Sequence, residues 1–322
     1  MSAQTNGQDH GKPRRVILLS IPRSASHLLM RMLTLDHQPT FASHPPEGQD
    51  YFFMPAARIQ MQLAQFKQDQ HELTSEDKAS LMEIYQSCAS NMESFLNTAA
   101  AQGKSSFFKE HVALIKTPTN PTLFPDNFLL DLTPTFLIRH PAFSFASLYR
   151  VFMGVESTRE LFGEHRLAVY QDLLSLRPVR NLYDWYRSQY EALGQRNGTE
   201  ESDASMLPIV LDASDVIQHP KVVWEYAKLI GLNTTKVRSE WNAFTPEQFA
   251  AQPNEMVKVF ARTLTTSTGL VKERAPVDVD IEVEAKKWRE QWGEEVAKML
   301  EDAVKEAMPD YEYLVSKRLR PS

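Results

Sequence analysis

The sequence predicts an α/β fold: a central, mostly parallel sheet flanked by helices, with helical insertions and a helical C-terminus. Three observations carry that expectation. Short apolar runs rich in β-formers recur along the chain, each leads into a stretch with helical periodicity, and Pro, Ser and Asp punctuate the joins. Strands and helices that alternate in this way read as parallel strands joined by crossover helices. No internal repeat or low-complexity linker breaks the pattern. Residues 15–322 are therefore expected to form one domain behind a polar, disordered tail at 1–14.

Val16-Ile17-Leu18-Leu19-Ser20 is a nearly continuous apolar run, as in a strand buried on both faces of a parallel sheet. After a short turn, Leu28, Leu29, Met32 and Leu33 recur at helical spacing and complete a strand-loop-helix unit. Residues 56–102 read as a helical insertion, with stripes at Met61, Leu63 and Phe66 and again from Leu81 to Leu96. A capping-type break at Leu73-Thr74-Ser75-Glu76 starts its second half. Strands follow at 106–109 and 135–138, separated by a loop carrying Pro118, Pro121, Pro125 and Pro134. Helices are expected at 141–153, 157–173 and 178–195, then a strand at 207–211 and a helix at 219–231. A helix over 278–318 closes the chain, with Trp288, Trp292, Val296, Leu300 and Val304 on one face.

Composition narrows the function. A formal charge of −6 and a pI near 5.9 argue against a surface that coats nucleic acid, so any anion site must be local. The lone Cys88 leaves no internal disulfide and no cysteine zinc site, which suits a reducing compartment, and no metal is expected. The longest apolar runs, about six residues, fall far short of the ~20 that cross a bilayer. The first fourteen residues lack the apolar segment of a secretory signal. A cytoplasmic protein with no membrane or nucleic-acid partner is the expectation, and a homodimer is compatible with it.

Two segments carry chemistry. Ser20-Ile21-Pro22-Arg23-Ser24-Ala25-Ser26-His27-Leu28 lies between a buried strand and a helix, where backbone N–H groups and a helix N-terminus meet an anion. Arg23 and Ser26 add charge-assisted bonds to phosphate oxygens. In Arg139-His140-Pro141, the proline suits the first turn of a helix, so Arg139 ends a strand and Ser147 lies about two turns into that helix. Both can face one anion at the C-terminal edge of a parallel sheet. Gly103-Lys104-Ser105 is not a Walker loop, because Thr98 stands where the first glycine belongs and a strand follows.

These residues resemble the sulfotransferase family. Pro22-Arg23-Ser24-Ala25-Ser26-His27-Leu28 looks like that family's 5′-phosphosulfate loop, and Arg139, Pro141 and Ser147 match its second motif. Leu211-Asp212-Ala213-Ser214-Asp215, running on to His219-Pro220, is similar to a later family segment, so the likeness spans about 16–232. The resemblance implies a P-loop sulfotransferase fold that uses 3′-phosphoadenosine-5′-phosphosulfate (PAPS) as co-substrate. It implies that Arg23, Ser24, Ala25, Ser26 and His27 hold the 5′-phosphosulfate, and that Arg139 and Ser147 hold the 3′-phosphate. More loosely, the stretch around Lys272 and Arg274 resembles the loop that covers the co-substrate. Two positions depart from the pattern. Ala25 replaces a glycine, which a methyl group tolerates where φ is negative, and His27 replaces a small hydroxyl or amide residue.

Sulfuryl transfer needs a base for the acceptor proton and a cation for the leaving phosphate; Arg23 is the expected cation. His111, ending Phe107-Phe108-Lys109-Glu110-His111, resembles the family's catalytic histidine. Glu47, in the loop after the first helix, is the other candidate base. Lys109 is read as surface charge or a phosphate contact. The cluster Tyr51-Phe52-Phe53-Met54 with Phe152 predicts an apolar pocket and hence a small, largely apolar acceptor. Two alternatives stay open: the same scaffold repurposed for elimination, cyclisation or isomerisation, and a nucleotide-binding module without catalysis.

Overall fold

A computed structural model of the chain describes residues 13–44, 51–60, 74–115, 122–163, 166–197, 207–252, 255–276 and 278–320. Glu47, most of the tail at 1–14 and the 61–73 portion of the helical insertion lie outside the described residues.

Five strands, β1 (Arg15–Ser20), β2 (Phe41–His44), β3 (Ser105–His111), β4 (Thr133–Ile138) and β5 (Ile209–Asp212), form one sheet in the order β2-β3-β1-β4-β5. Every neighbouring pair is parallel, as the alternation of strands and helices predicted. The pleat splits the apolar run of β1 between two cores. Ile17 and Leu19 face the layer that holds Phe108 and Phe136, while Val16 and Leu18 face Phe107 and Leu137. Both faces are buried, which is why this strand reads as continuous hydrophobicity. β2 was not anticipated. Phe41-Ala42-Ser43-His44 has only one bulky apolar residue in four and pairs with β3 alone, so as an edge strand it lacks the two-sided burial that marks the others.

Helix α1 (Ser26–Leu33) follows β1 directly. Helix α2 (Ser75–Ala101) starts at a capping box in which the Thr74 side chain accepts from the Asp77 amide and the Asp77 carboxylate accepts from the Thr74 amide. Helix α3 (Pro141–Gly154) carries proline in its first turn, and His140 Nδ1 accepts from the Ala142 amide.

Three sequence expectations need correction. The helix at 157–173 is two short helices, Glu156–Phe162 and Arg166–Gln171. The 219–231 helix begins after Pro220 as α4 (Lys221–Ile230), with a separate turn of helix at Ala213–Gln218. The single C-terminal helix is broken into α5 (Ile281–Trp292) and α6 (Glu294–Ser316) by Gly293, whose φ of 88° and ψ of 172° no helix accommodates. Periodicity misses such breaks because both pieces bury an apolar face in the same core. No described helix is long and apolar enough to cross a membrane.

Candidate active site

The strand order reverses beside β1: the chain passes from β1 to β2 and β3 on one side, then to β4 and β5 on the other. In open parallel sheets the crevice at such a point, beyond the strands' C-terminal ends, is where ligands bind. Here it opens into a cavity of about 1730 Å³.

The loop from β1 to α1 forms one wall. The Ser24 hydroxyl donates to the Ile21 carbonyl at 2.8 Å and closes the turn. Ser24 is fully buried and does not line the cavity, so its hydroxyl serves the turn. Arg23 and Ala25 both take left-handed backbone conformations, with φ of 64° and 68°. The negative φ that would make an alanine comfortable in this loop is absent. Ala25 is the N-cap of α1 and supplies no side-chain cap, so the first amides of the helix keep their donors for something else.

The second motif closes on the first. Arg23 Nε donates to Ser147 Oγ on α3 at 3.0 Å. Arg139, at the end of β4, donates through Nη1 to the Arg23 carbonyl and through Nη2 to the Arg274 carbonyl, each at 3.0 Å. One guanidinium thus ties the backbone of the loop between β1 and α1 to the segment at 272–274. Arg150 and Arg274 line the same space. Burial, and then Arg139, Arg150 and Arg274, lower the Arg23 pKa to about 10; burial and Arg274 do the same to Arg139 against the pull of Asp212. Cations that weaken one another inside a cavity call for a polyvalent anion. Lys272 does not line the cavity. Gln218 Nε2 holds the backbone carbonyls of Lys272 and Ala275, and this anchorage presents Glu273 and Arg274 inward instead.

The end of β3 forms the opposite wall. Register places His111 beside Ser20, and His111 Nδ1 lies 3.0 Å from Ser20 Oγ and 3.3 Å from the Ser20 carbonyl. Its Nε2 lies 2.7 Å from the Tyr51 hydroxyl. Burial and then Lys109 hold the His111 pKa down at about 3, so the imidazole is neutral at physiological pH. Lys109, read as surface charge or a phosphate contact, is 1% exposed and lines the cavity, which rules out the first of the two. Its ammonium sits 3.3 Å from His27 Nε2 and 4.6 Å from the centre of the Tyr51 ring, and burial lowers its pKa to about 7. The pleat turns Glu110 to the other face of β3. There the Phe52 and Phe53 amides face its carboxylate without reaching hydrogen-bond geometry, and burial pushes it up to about 8.

The aromatic cluster divides. Tyr51 and Met54, three residues apart, line the cavity together with Phe152. Phe52 and Phe53 do not: Phe52 stacks on His44 at 3.6 Å, and Phe53 packs edge-on against Phe124 at 5.2 Å. Both fill the core behind the pocket. Unforeseen were Trp241 and Phe244, which line the α1 side of the cavity, with the Arg31 guanidinium 5.7 and 5.2 Å from their rings. They stand in a polar stretch with no periodicity, and only tertiary folding brings them to α1.

No protein-family model matches the chain. Two curated fungal proteins do, over nearly their whole length. Sulfotransferase ppzF of Metarhizium rileyi is 33% identical over 96% of this chain and 97% of its own. Sulfotransferase ppzF of Metarhizium majus is 34% identical over 99% of each. Among solved structures, the sulfotransferase domain from the Synechococcus PCC 7002 olefin synthase aligns with 91% of this chain and 99% of its own, at 14% identity and a TM-score of 0.37, too distant to carry argument. On identity and coverage with the two fungal proteins, the chain belongs to the sulfotransferase family and is a transferase enzyme.

Proposed function

We propose that this enzyme moves a sulfuryl group from PAPS to a hydroxyl of a small, largely apolar molecule. One observation carries the reading. A loop with open helix-terminal amides and the guanidinium groups of Arg23, Arg139, Arg150 and Arg274 face the same cavity as Lys109 and a neutral His111. The donor set, four guanidinium groups around one cavity with Asp212 drawing on Arg139, fits a nucleotide with two separate phosphate groups. When bound, that nucleotide supplies an activated sulfuryl group on its 5′-phosphate.

Each side chain then has a role. Arg139 and Ser147 take the 3′-phosphate, while Arg23, Ser26 and the first amides of α1 take the 5′ side. Trp241 and Phe244 give a purine a flat apolar surface. Lys109 neutralises charge that grows on the bridging oxygen, beside Arg23. His111 is the terminal proton acceptor, and Glu47 stands as the other candidate. Leu114, Leu148, Phe152, Leu173 and Trp288 supply the acceptor's apolar surroundings.

The test is transfer of labelled sulfur from PAPS to a panel of small apolar alcohols and phenols. Arg23→Ala should lower kcat and kcat/KM together, because its charge is needed most in the transition state. A rise in KM alone would reduce Arg23 to uniform binding, and no transfer to any panel member, with no binding of the bisphosphate product, would contradict the function.

A further inference from the structure

The lone pair through which His111 would take a proton is already covered. Tyr51 Oη lies 2.7 Å from His111 Nε2, and the two rings sit 4.5 Å apart. On the far side of the imidazole, Nδ1 faces the Ser20 carbonyl and hydroxyl. A carbonyl only accepts and a hydroxyl can accept as well, so this pair suits a hydrogen on Nδ1, the tautomer that leaves Nε2 to accept from the Tyr51 hydroxyl. Tyr51 is half-buried and lines the cavity next to Met54 and Lys109. Both the phenol and the imidazole line the cavity.

We propose that Tyr51 is a catalytic residue, a phenol relay that takes the proton of the acceptor hydroxyl while passing its own to His111 Nε2. The inference rests on the sulfuryl-transfer reading above. In the step, the acceptor oxygen forms its bond to sulfur and its proton moves to Tyr51 Oη. The Tyr51 proton moves to Nε2, and the sulfur–oxygen bond to the 5′-phosphate breaks with its electron pair staying on the phosphate oxygen. The phenol ends as it began, and His111 ends as an imidazolium whose Nδ1–H points at Ser20. The Lys109 ammonium, over the Tyr51 ring, stabilises the negative charge that passes through the phenol oxygen. The sequence places Tyr51 to do this because its neighbours Phe52 and Phe53 are locked in the core, fixing the backbone that carries it.

The experiment pairs Tyr51→Phe, which removes one oxygen and keeps the ring under Lys109, with two acceptor probes. Benzyl alcohol needs a base; 4-nitrophenol is already largely ionised near neutral pH. The relay predicts that Tyr51→Phe loses about 10²-fold or more in kcat with benzyl alcohol. It should keep its rate with 4-nitrophenol and its affinity for the bisphosphate. Equal retention of both activities overturns the relay, and so does equal loss of both with the fold intact.

A second readout needs no acceptor. In ¹⁵N-histidine-labelled protein, with His111→Gln assigning the signal, the relay requires Nδ1 protonated and Nε2 bare, with the Nε2 resonance moving in Tyr51→Phe. A protonated Nε2 overturns it whatever the probes do. If the wild-type protein neither binds the bisphosphate nor transfers sulfuryl to any compound, the proposed function fails, whereas the tautomer still judges the relay's geometry.

Discussion

Ala25 holds a left-handed backbone without being glycine, at a cost of roughly 1–2 kcal/mol relative to a residue with no Cβ. Ala25→Gly is therefore predicted to raise stability by about 1 kcal/mol in thermal or denaturant unfolding, an effect offset in part by the greater freedom of glycine in the unfolded chain. A loss of stability would mean that the methyl group packs usefully in the loop. Lys109 supplies the second prediction at this scale. With its pKa near 7, the ammonium that neutralises the leaving group is lost as pH rises through neutrality in the free enzyme, so kcat/KM should fall there. His111, held near 3, adds no rising limb in the same range. Lys109→Arg keeps the charge and should remove the falling limb; its persistence would assign the titration elsewhere. Residue by residue, the structure brings Arg23, Ser26, Arg139 and His111 to the cavity that their places at strand ends and helix starts pointed to. Lys109 stayed undecided between surface charge and a phosphate contact because alternation along a strand says which face a side chain takes, not whether that face opens to solvent or to a closed cavity.

β3 does two jobs as an element. One face of its C-terminal end delivers Lys109 and His111 to the cavity, and the other buries Glu110 behind Phe52 and Phe53. Burial raises the Glu110 pKa from 4.5 to about 8, so the folded state keeps a proton that the unfolded chain releases. Stability from this group is present below about pH 4.5 and drains away as pH rises to 8. Glu110→Gln cannot titrate. Its stability relative to wild type should improve steadily across that window in urea unfolding, and a pH-independent difference would contradict the assignment. Gly293 is the corresponding device between α5 and α6. Its φ of 88° makes Gly293→Ala strained although the added carbon meets nothing within 4 Å beyond its own stretch of chain, and a loss of about 1–3 kcal/mol is expected. Elements with two-sided burial or long apolar stripes were readable in advance; β2 and the split helices were not, since edge pairing and tertiary packing, not local pattern, define them.

Across the whole molecule, five parallel strands and the reversal of their order beside β1 bring loop 21–25, the start of α3, the end of β3 and loop 271–276 around one cavity. The class of fold followed from alternation alone, and the two motifs singled out in the sequence line one crevice in the structure. The aromatic surface from Trp241 and Phe244 arrives from more than two hundred residues along the chain after α1, a distance over which a sequence carries no local signal. On the proposed function, this crevice holds a nucleotide through two separate phosphates. Calorimetric titration of the wild-type protein and Arg139→Ala with 3′-phosphoadenosine-5′-phosphate and with adenosine 5′-phosphate tests it most directly. The account predicts that the wild type binds the bisphosphate far more tightly, and that Arg139→Ala erases most of that preference while leaving the monophosphate nearly unaffected. Equal affinity of the wild type for both nucleotides, or equal loss of both in the variant, would contradict it.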